Sequence, residues 1–368
     1  MKLVMPNYDE CITNLSNSIL KHFNIKTNHN TIRDLDNLLD KNYKNVIVIL
    51  CDGMGSILLD EMLTEDSFLI KNRIKTITSV YPPTTTAATT SMLSALNPNE
   101  HGWLGWDLYF KEENKTVSMF INTIKDSNVI AEEYSVANKT FPYKNIISKI
   151  GSKYESYGIL SFENDDYKIF NNQINKIIDL CKIDSKKFIY AYYEDPDHLL
   201  HDFGINNPLV KKEFENINKS IEYLCDNIDD SIVIVTADHG HINTTYYDLD
   251  EYPNIKNLLE RTISIEPRAT SFKIIESKKE EFIEEFNKCF KDEFWLLDAN
   301  EVIDKKIFGT VINNIHFKES IGDFVALAKS NKGFIYSKLT PQFISHHAGL
   351  TDREMLIPLI VKEKKLTK

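Results

Sequence analysis

Glycine is scarce in this chain, 12 residues in 368, and no glycine-rich loop stands where backbone N–H groups could cradle a nucleotide phosphate. A P-loop or Rossmann nucleotide fold is therefore unsupported. Cysteine is thinner still. Its five copies, Cys11, Cys51, Cys181, Cys225 and Cys289, are odd in number and lack CxxC spacing. That excludes a disulfide framework and a thiolate metal site, and it leaves the thiols as small buried hydrophobes. No apolar run reaches the length of a membrane span, and the N-terminus MKLVMPNYDECITNL carries no signal-peptide core. The sequence thus predicts a cytoplasmic protein with no membrane partner. Positive charge is in deficit, 43 basic against 54 acidic side chains for a net charge of -11. A surface built to hold a nucleic acid duplex or anionic lipid is not expected, and any anionic substrate needs a local positive centre.

What the chain does hold is apolar residues, 42% of the total, enough for a full core in one large domain or two smaller ones. Several short β-branched runs end in acidic or polar residues: NVIVILC before Asp52, RIKTITSV before Tyr81, KFIYAYY before Glu194 and SIVIVT before Asp238. Runs of this kind read as buried strands of a parallel sheet. Between them lie helical patterns, the clearest being Val210, Phe214, Ile217, Ile221, Leu224 and Ile228 at spacings of three and four. The expected fold class is α/β, a central mostly parallel sheet flanked by helices. Ligands gather beyond the carboxyl ends of such strands, where the acidic residues fall. Residues 242–341 lack acidic strand ends. They are expected to form a small inserted α/β cap lobe, with 1–241 and 342–368 as the metal-binding catalytic core.

Six of the ten histidines lie in three stretches, DPDHLLHDFG (195–204), ADHGH (237–241) and HHAG (346–349). Aspartate and histidine without cysteine suit a catalytic divalent ion, because oxygen and imidazole ligands leave it strongly Lewis acidic. Asp197 and His201, four apart, share one face if a helix begins there. His198 stands beside them as a weaker alternative to His201. Two such ions about 4 Å apart make a clamp for phosphoryl transfer. That chemistry needs a nucleophile, and residues 84–90 hold five threonines directly after Pro82 and Pro83. A hydroxyl in the first turn of a helix starting there meets free N–H groups and the positive helix end. Spacing alone does not choose among Thr84, Thr85 and Thr86.

Taken in order, DGMG, YPPTTTAATTSMLSALNPNEHG, DPDHLLHDFG, TADHGH and HHAGLTDREMLIPL resemble the alkaline phosphatase superfamily, specifically its type I phosphodiesterase/nucleotide pyrophosphatase family. The resemblance implies an alkaline-phosphatase-like sandwich. It implies Thr85 as nucleophile, four residues after Tyr81 and sixteen before His101. It further implies two divalent ions, expected to be Zn2+: one on Asp52, Asp238 and His239, the other on Asp197, His201 and His347, with Asp195 and His346 as weaker alternatives to Asp197 and His347. Three aspartates would offset three of four positive charges and leave about one for a phosphate group. The implied activity is hydrolysis of a small phosphodiester or pyrophosphate, a nucleotide being one candidate, through a phosphothreonine. A phosphomonoesterase or phosphonate hydrolase is the alternative within the superfamily. A non-catalytic, metal-stabilised phospho-ligand-binding protein is the alternative outside it. Trp103 and Trp106 in HGWLGW are candidates to stack on a leaving group, and Arg268 in EPRAT is a candidate to hold extra phosphate charge.

Overall fold

Asn45–Cys51 (β1) is buried at all seven positions, as a strand covered on both faces requires. The computed structural model describes residues 1–311 and 314–365 and places β1 inside a six-stranded sheet. The other strands are Arg73–Thr78 (β2), Glu155–Leu160 (β3), Lys187–Tyr193 (β4), Ser231–Thr236 (β5) and Leu356–Lys364 (β6). Their order is β2-β6-β5-β1-β4-β3. β1 pairs in parallel with β4 and β5, and β3 in parallel with β4, whereas β6 runs antiparallel to both of its neighbours. Each fully buried Val, Ile or Leu in these strands contributes roughly 1.5–3 kcal/mol. The core is therefore anchored by the same apolar runs that mark it in the sequence.

Three helices matter for the site. Thr85–Ser94 (α1) begins after the N-cap Thr84 and ends at Ala95, which takes a left-handed conformation with φ 59°. Asp197–Phe203 (α2) follows β4. Pro208–Asp226 (α3) has Pro208 in its first turn and Asn207 accepting the N–H of Leu209, and it turns Val210, Phe214, Ile217, Ile221 and Leu224 inward. Among the described residues no helix is long and apolar enough to cross a membrane.

A second, seven-stranded antiparallel sheet lies beside the first, in the order Phe294–Asp298, Phe324–Ala328, Ala269–Phe272, Ser264–Glu266, Asp107–Phe110, Lys115–Ser118, Thr123–Ile124. The segment 242–341 supplies four of these strands, and residues 107–124 supply the other three. The lobe therefore reaches back into residues that the sequence assigned to the core. Within ISIEPRATSFKII, Ser264–Glu266 and Ala269–Phe272 form an antiparallel hairpin that turns at Pro267 and Arg268. Helix Lys279–Phe290 packs Phe282, Phe286 and Phe290, four apart, against Phe272, Phe294 and Phe334. At the neck, Ile242–Asn243 pairs antiparallel with Ser345–His346, placing the end of ADHGH against the start of HHAG.

Candidate active site

All the expected ligands but His347, which follows the antiparallel neck strand Ser345–His346, come from segments after the carboxyl ends of neighbouring parallel strands. Asp52 directly follows β1; its N–H donates to Tyr193 O at 2.9 Å, and its carbonyl accepts from Asp197 N at 3.1 Å. Those two bonds tie the start of α2 to the end of β1. Gly53 bends the chain with φ +73°, and a Cβ there would meet Asp197 Cα at 3.1 Å. Asp238 follows β5 and accepts Gly53 N at 3.1 Å and His239 N at 2.9 Å, both on Oδ1. Its Oδ2 is buried and has no hydrogen-bond partner among the described residues.

Around His239 Nε2 lie Asp52 Oδ1 at 3.3 Å and Asp238 Oδ2 at 3.4 Å. His239 Nδ1 lies 3.2 Å from Gly240 O, which can only accept, so the Nε2 lone pair faces the two carboxylates. Around Asp197 Oδ1 lie His201 Nε2 at 3.4 Å and His347 Nε2 at 3.9 Å. Asp197, His201, His241 and His347 each offer a ligand atom within 4.8 Å of the others, and so do Asp52, Asp197 and His239. Asp197 thus joins the two groups. The His239 and His347 rings stack with centroids 3.8 Å apart, which packs a histidine of each ion's set face to face.

Thr85 Oγ1 faces this cluster, 3.2 Å from His239 Nε2 and 3.5 Å from Asp52 Oδ1. It is the first residue of α1 and is half-buried, whereas Thr84 and Thr86 are buried. Thr84 Oγ1 donates to Glu266 at 2.6 Å. Of the three hydroxyls left open by the sequence, only that of Thr85 points at Asp52 and His239.

The electrostatics call for cations. Burial raises the Asp52 carboxyl well above its ordinary range, with the charges of Asp238 and Asp197 adding to the effect. Burial also holds His347 well below the ordinary imidazole value, so it is a neutral donor. Close-packed carboxylates, neutral imidazoles and an orphaned Asp238 oxygen are the donor set that divalent ions require, and the residues fit them.

Two neighbours of the cluster were not assigned from the sequence. Tyr192 OH donates to Asp52 Oδ2 and fixes its orientation. His241, two residues beyond His239, lies 2.6 Å from Asp197 Oδ1. Its place within ADHGH was the available signal, but only the neck pairing shows where its ring goes. None of the alternatives joins either ligand group, although the buried His346 ring packs 5.1 Å from that of His201; His198 is exposed, with Glu194 at 3.9 Å. Asp195 joins neither ligand group, and His346 uses Nδ1 to accept His347 N at 2.9 Å.

The expected substrate contacts are only partly placed there. Trp103 is buried in the lobe core and donates its indole N–H to Phe141 O at 2.9 Å. Arg268 is fully buried and engaged by Glu354, Ser330 O and Lys332 O at 2.7–2.8 Å. Its guanidinium locks lobe to core, so the expectation that it holds phosphate is corrected. Trp106 is 41% exposed, and its backbone N–H donates to the same Glu266 oxygen that holds Thr84. It therefore stands near the start of α1 with an accessible ring.

The sequence profile of the family described as Type I phosphodiesterase / nucleotide pyrophosphatase matches residues 46–350. Murine ectonucleotide pyrophosphatase / phosphodiesterase 5 has a similar structure, with TM-score 0.64 and 18% identity over 85% of this chain and 87% of that one. An inactive form of it in complex with AMP superposes with TM-score 0.63, 18% identity, and coverage of 88% and 91%. Phosphonoacetate hydrolase from Sinorhizobium meliloti 1021, in complex with phosphonoformate, gives TM-score 0.63 and 13% identity over 86% and 89%. GPI ethanolamine phosphate transferase 3 of Schizosaccharomyces pombe (strain 972 / ATCC 24843) is 27% identical over 101 residues, 27% of this chain and 11% of that protein. The chain thus spans only a small part of that relative's length.

Proposed function

Since the chain belongs to the type I phosphodiesterase / nucleotide pyrophosphatase family of hydrolytic enzymes, we propose that it hydrolyses a small phosphodiester or pyrophosphate with Thr85 as nucleophile. The observation that carries this reading is the half-buried Thr85 hydroxyl, 3.2 Å from His239 Nε2 at the first turn of α1. Asp52, Asp238 and His239 would hold one divalent ion and Asp197, His201 and His347 a second, both expected to be Zn2+. Bound there, the ions supply Lewis-acid charge that lowers the hydroxyl pKa and neutralises phosphoryl oxygens.

The chain's own residues do the rest. Tyr192 orients Asp52, and the free N–H groups of the first turn of α1 face incoming phosphoryl oxygens. Attack by Thr85 Oγ1 forms an Oγ1–P bond as the bond to the leaving alcohol or phosphate breaks, and the threonine proton departs with that leaving group. Water then cleaves Oγ1–P, its proton replacing the one Thr85 lost, and the hydroxyl returns. Trp106, Phe162 and Phe343 are exposed aromatics that can wall the leaving group; Phe343 lies 4.3 Å from the His201 ring and Phe162 5.6 Å from that of Tyr192. The engagement of Arg268 favours a diester over a monoester, since it removes the one cation proposed to bind the extra charge. The AMP complex of a structural neighbour supports a nucleotide as one candidate substrate. The phosphonoacetate hydrolase likeness keeps phosphonate hydrolysis as the second reading. Five free cysteines support a reducing, cytoplasmic setting.

The test compares bis-p-nitrophenyl phosphate, p-nitrophenyl phosphate and phosphonoacetate on zinc-loaded protein and on Thr85→Ala. Diester cleavage should be fastest and should fall at least about 10³-fold in the variant, with metal content unchanged. Preference for the monoester or phosphonate would replace the substrate assignment, and undiminished turnover by Thr85→Ala would remove the nucleophile.

A further inference from the structure

The functional reading gives the ion at Asp197 three protein ligands, and the structure brings a fourth donor to the same place. His241 is fully buried, its ring centroid 4.8 Å from that of His201 and 5.1 Å from that of His347. Its Nε2 lies 2.6 Å from Asp197 Oδ1. Which nitrogen carries the proton follows from Ser345. The Ser345 hydroxyl donates to Leu200 O at 2.7 Å, so towards His241 Nδ1, 2.9 Å away, it can only accept. His241 is then protonated on Nδ1. The carbonyl of the same serine accepts from His201 Nδ1 at 2.8 Å. One residue therefore sets both imidazoles in the same tautomer and leaves both Nε2 lone pairs facing Asp197.

A lone pair 2.6 Å from a carboxylate oxygen is repulsive unless a cation bound by both atoms lies beside them. We propose that His241 is a fourth protein donor, through Nε2, to the ion held by Asp197, His201 and His347, and that Ser345 is the positioning residue for both His201 and His241. The proposal rests on the metal-dependent reading of the site but not on which ester is cleaved. It distinguishes the two ions. With four protein donors there, a phosphoryl oxygen would enter as a fifth ligand, whereas the ion at Asp52, Asp238 and His239 would keep an open position with three. The ion at Asp197 is then retained more tightly than the one at Asp52, Asp238 and His239.

The experiment uses the full chain loaded with Co2+, a paramagnetic stand-in for Zn2+. Each histidine bound through Nε2 shows one strongly shifted, solvent-exchangeable Nδ1–H proton resonance. Four such resonances are expected, from His239, His201, His347 and His241, falling to three in His241→Ala. Chelator competition should show one ion released at least about tenfold more readily in that variant. In Ser345→Ala the His241 resonance should persist but exchange faster. Three resonances in the unmodified protein would overturn the proposal and leave His241 as a proton donor to Asp197, and that count does not depend on any variant folding. Four resonances in a protein inactive on every ester would sink the reaction reading alone. Failure to bind Co2+ would sink both.

Discussion

Thr84, Thr85 and Thr86 are adjacent, chemically identical, and separated only by where their hydroxyls go. Thr84 Oγ1 is held by Glu266, Thr85 Oγ1 faces His239, and Thr86 Oγ1 is buried without a partner. An unsatisfied buried hydroxyl costs about 1–3 kcal/mol, so Thr86→Val, which keeps the shape and removes the polarity, should stabilise the protein by about 1 kcal/mol. Its turnover should match that of the unmodified protein. Chemical denaturation and diester hydrolysis check both halves, and a large loss of turnover would show that Thr86, not only its neighbour, serves the reaction. The aspartates and histidines were legible because their types announce ligand chemistry. His241 was not, because nothing in ADHGH reveals a proton network running through Ser345, 104 residues on.

At the scale of elements, Glu266 couples the lobe to the catalytic helix. Its Oε1 accepts Thr84 Oγ1 at the N-cap of α1 and Trp106 N in the following loop, while Asp107 and Lys125 act on it through space. Burial raises its pKa from the ordinary 4.5 to about 7. The folded state then keeps a proton that the unfolded chain has released, so stability is full below about pH 4.5 and falls as pH rises through 7. The loss amounts to about 3 kcal/mol. Glu266→Gln should abolish this part of the pH dependence. Urea unfolding at pH 5 and pH 8 measures it; an unchanged slope in the variant would place the loss elsewhere. The six core strands differed in legibility for a physical reason. β1, β4 and β5 are buried throughout and rich in apolar residues, whereas β3, an edge strand, is exposed or half-buried over its first four residues and buried only at its last two, so it left no run to read. The strands in 107–124 are two to four residues long, too short for a period to show.

For the whole molecule, the question is what keeps two sheets from different parts of the chain in one arrangement around the site. The buried Arg268–Glu354 pair spans them, with Nε and Nη2 each 2.7 Å from a carboxylate oxygen and Gly349 N donating to the same carboxylate. Removing one partner leaves an uncompensated buried charge, so Arg268→Met should cost about 3–5 kcal/mol of stability. Arg268→Met with Glu354→Leu should recover much of that, as a thermal unfolding cycle would show. Activity loss in the single variant without loss of stability would instead return Arg268 to the substrate. The partner of Arg268 could not be read from sequence, because 86 residues separate the two and only the folded neck brings them together.

The central claim is that cleavage proceeds through Thr85 in two displacements, and stereochemistry at phosphorus tests it most directly. A chiral phosphorothioate diester would be hydrolysed in isotopically labelled water by the metal-loaded protein and the product configuration determined. Two in-line displacements predict net retention. Net inversion would mean that water attacks the substrate directly and that Thr85 forms no covalent intermediate.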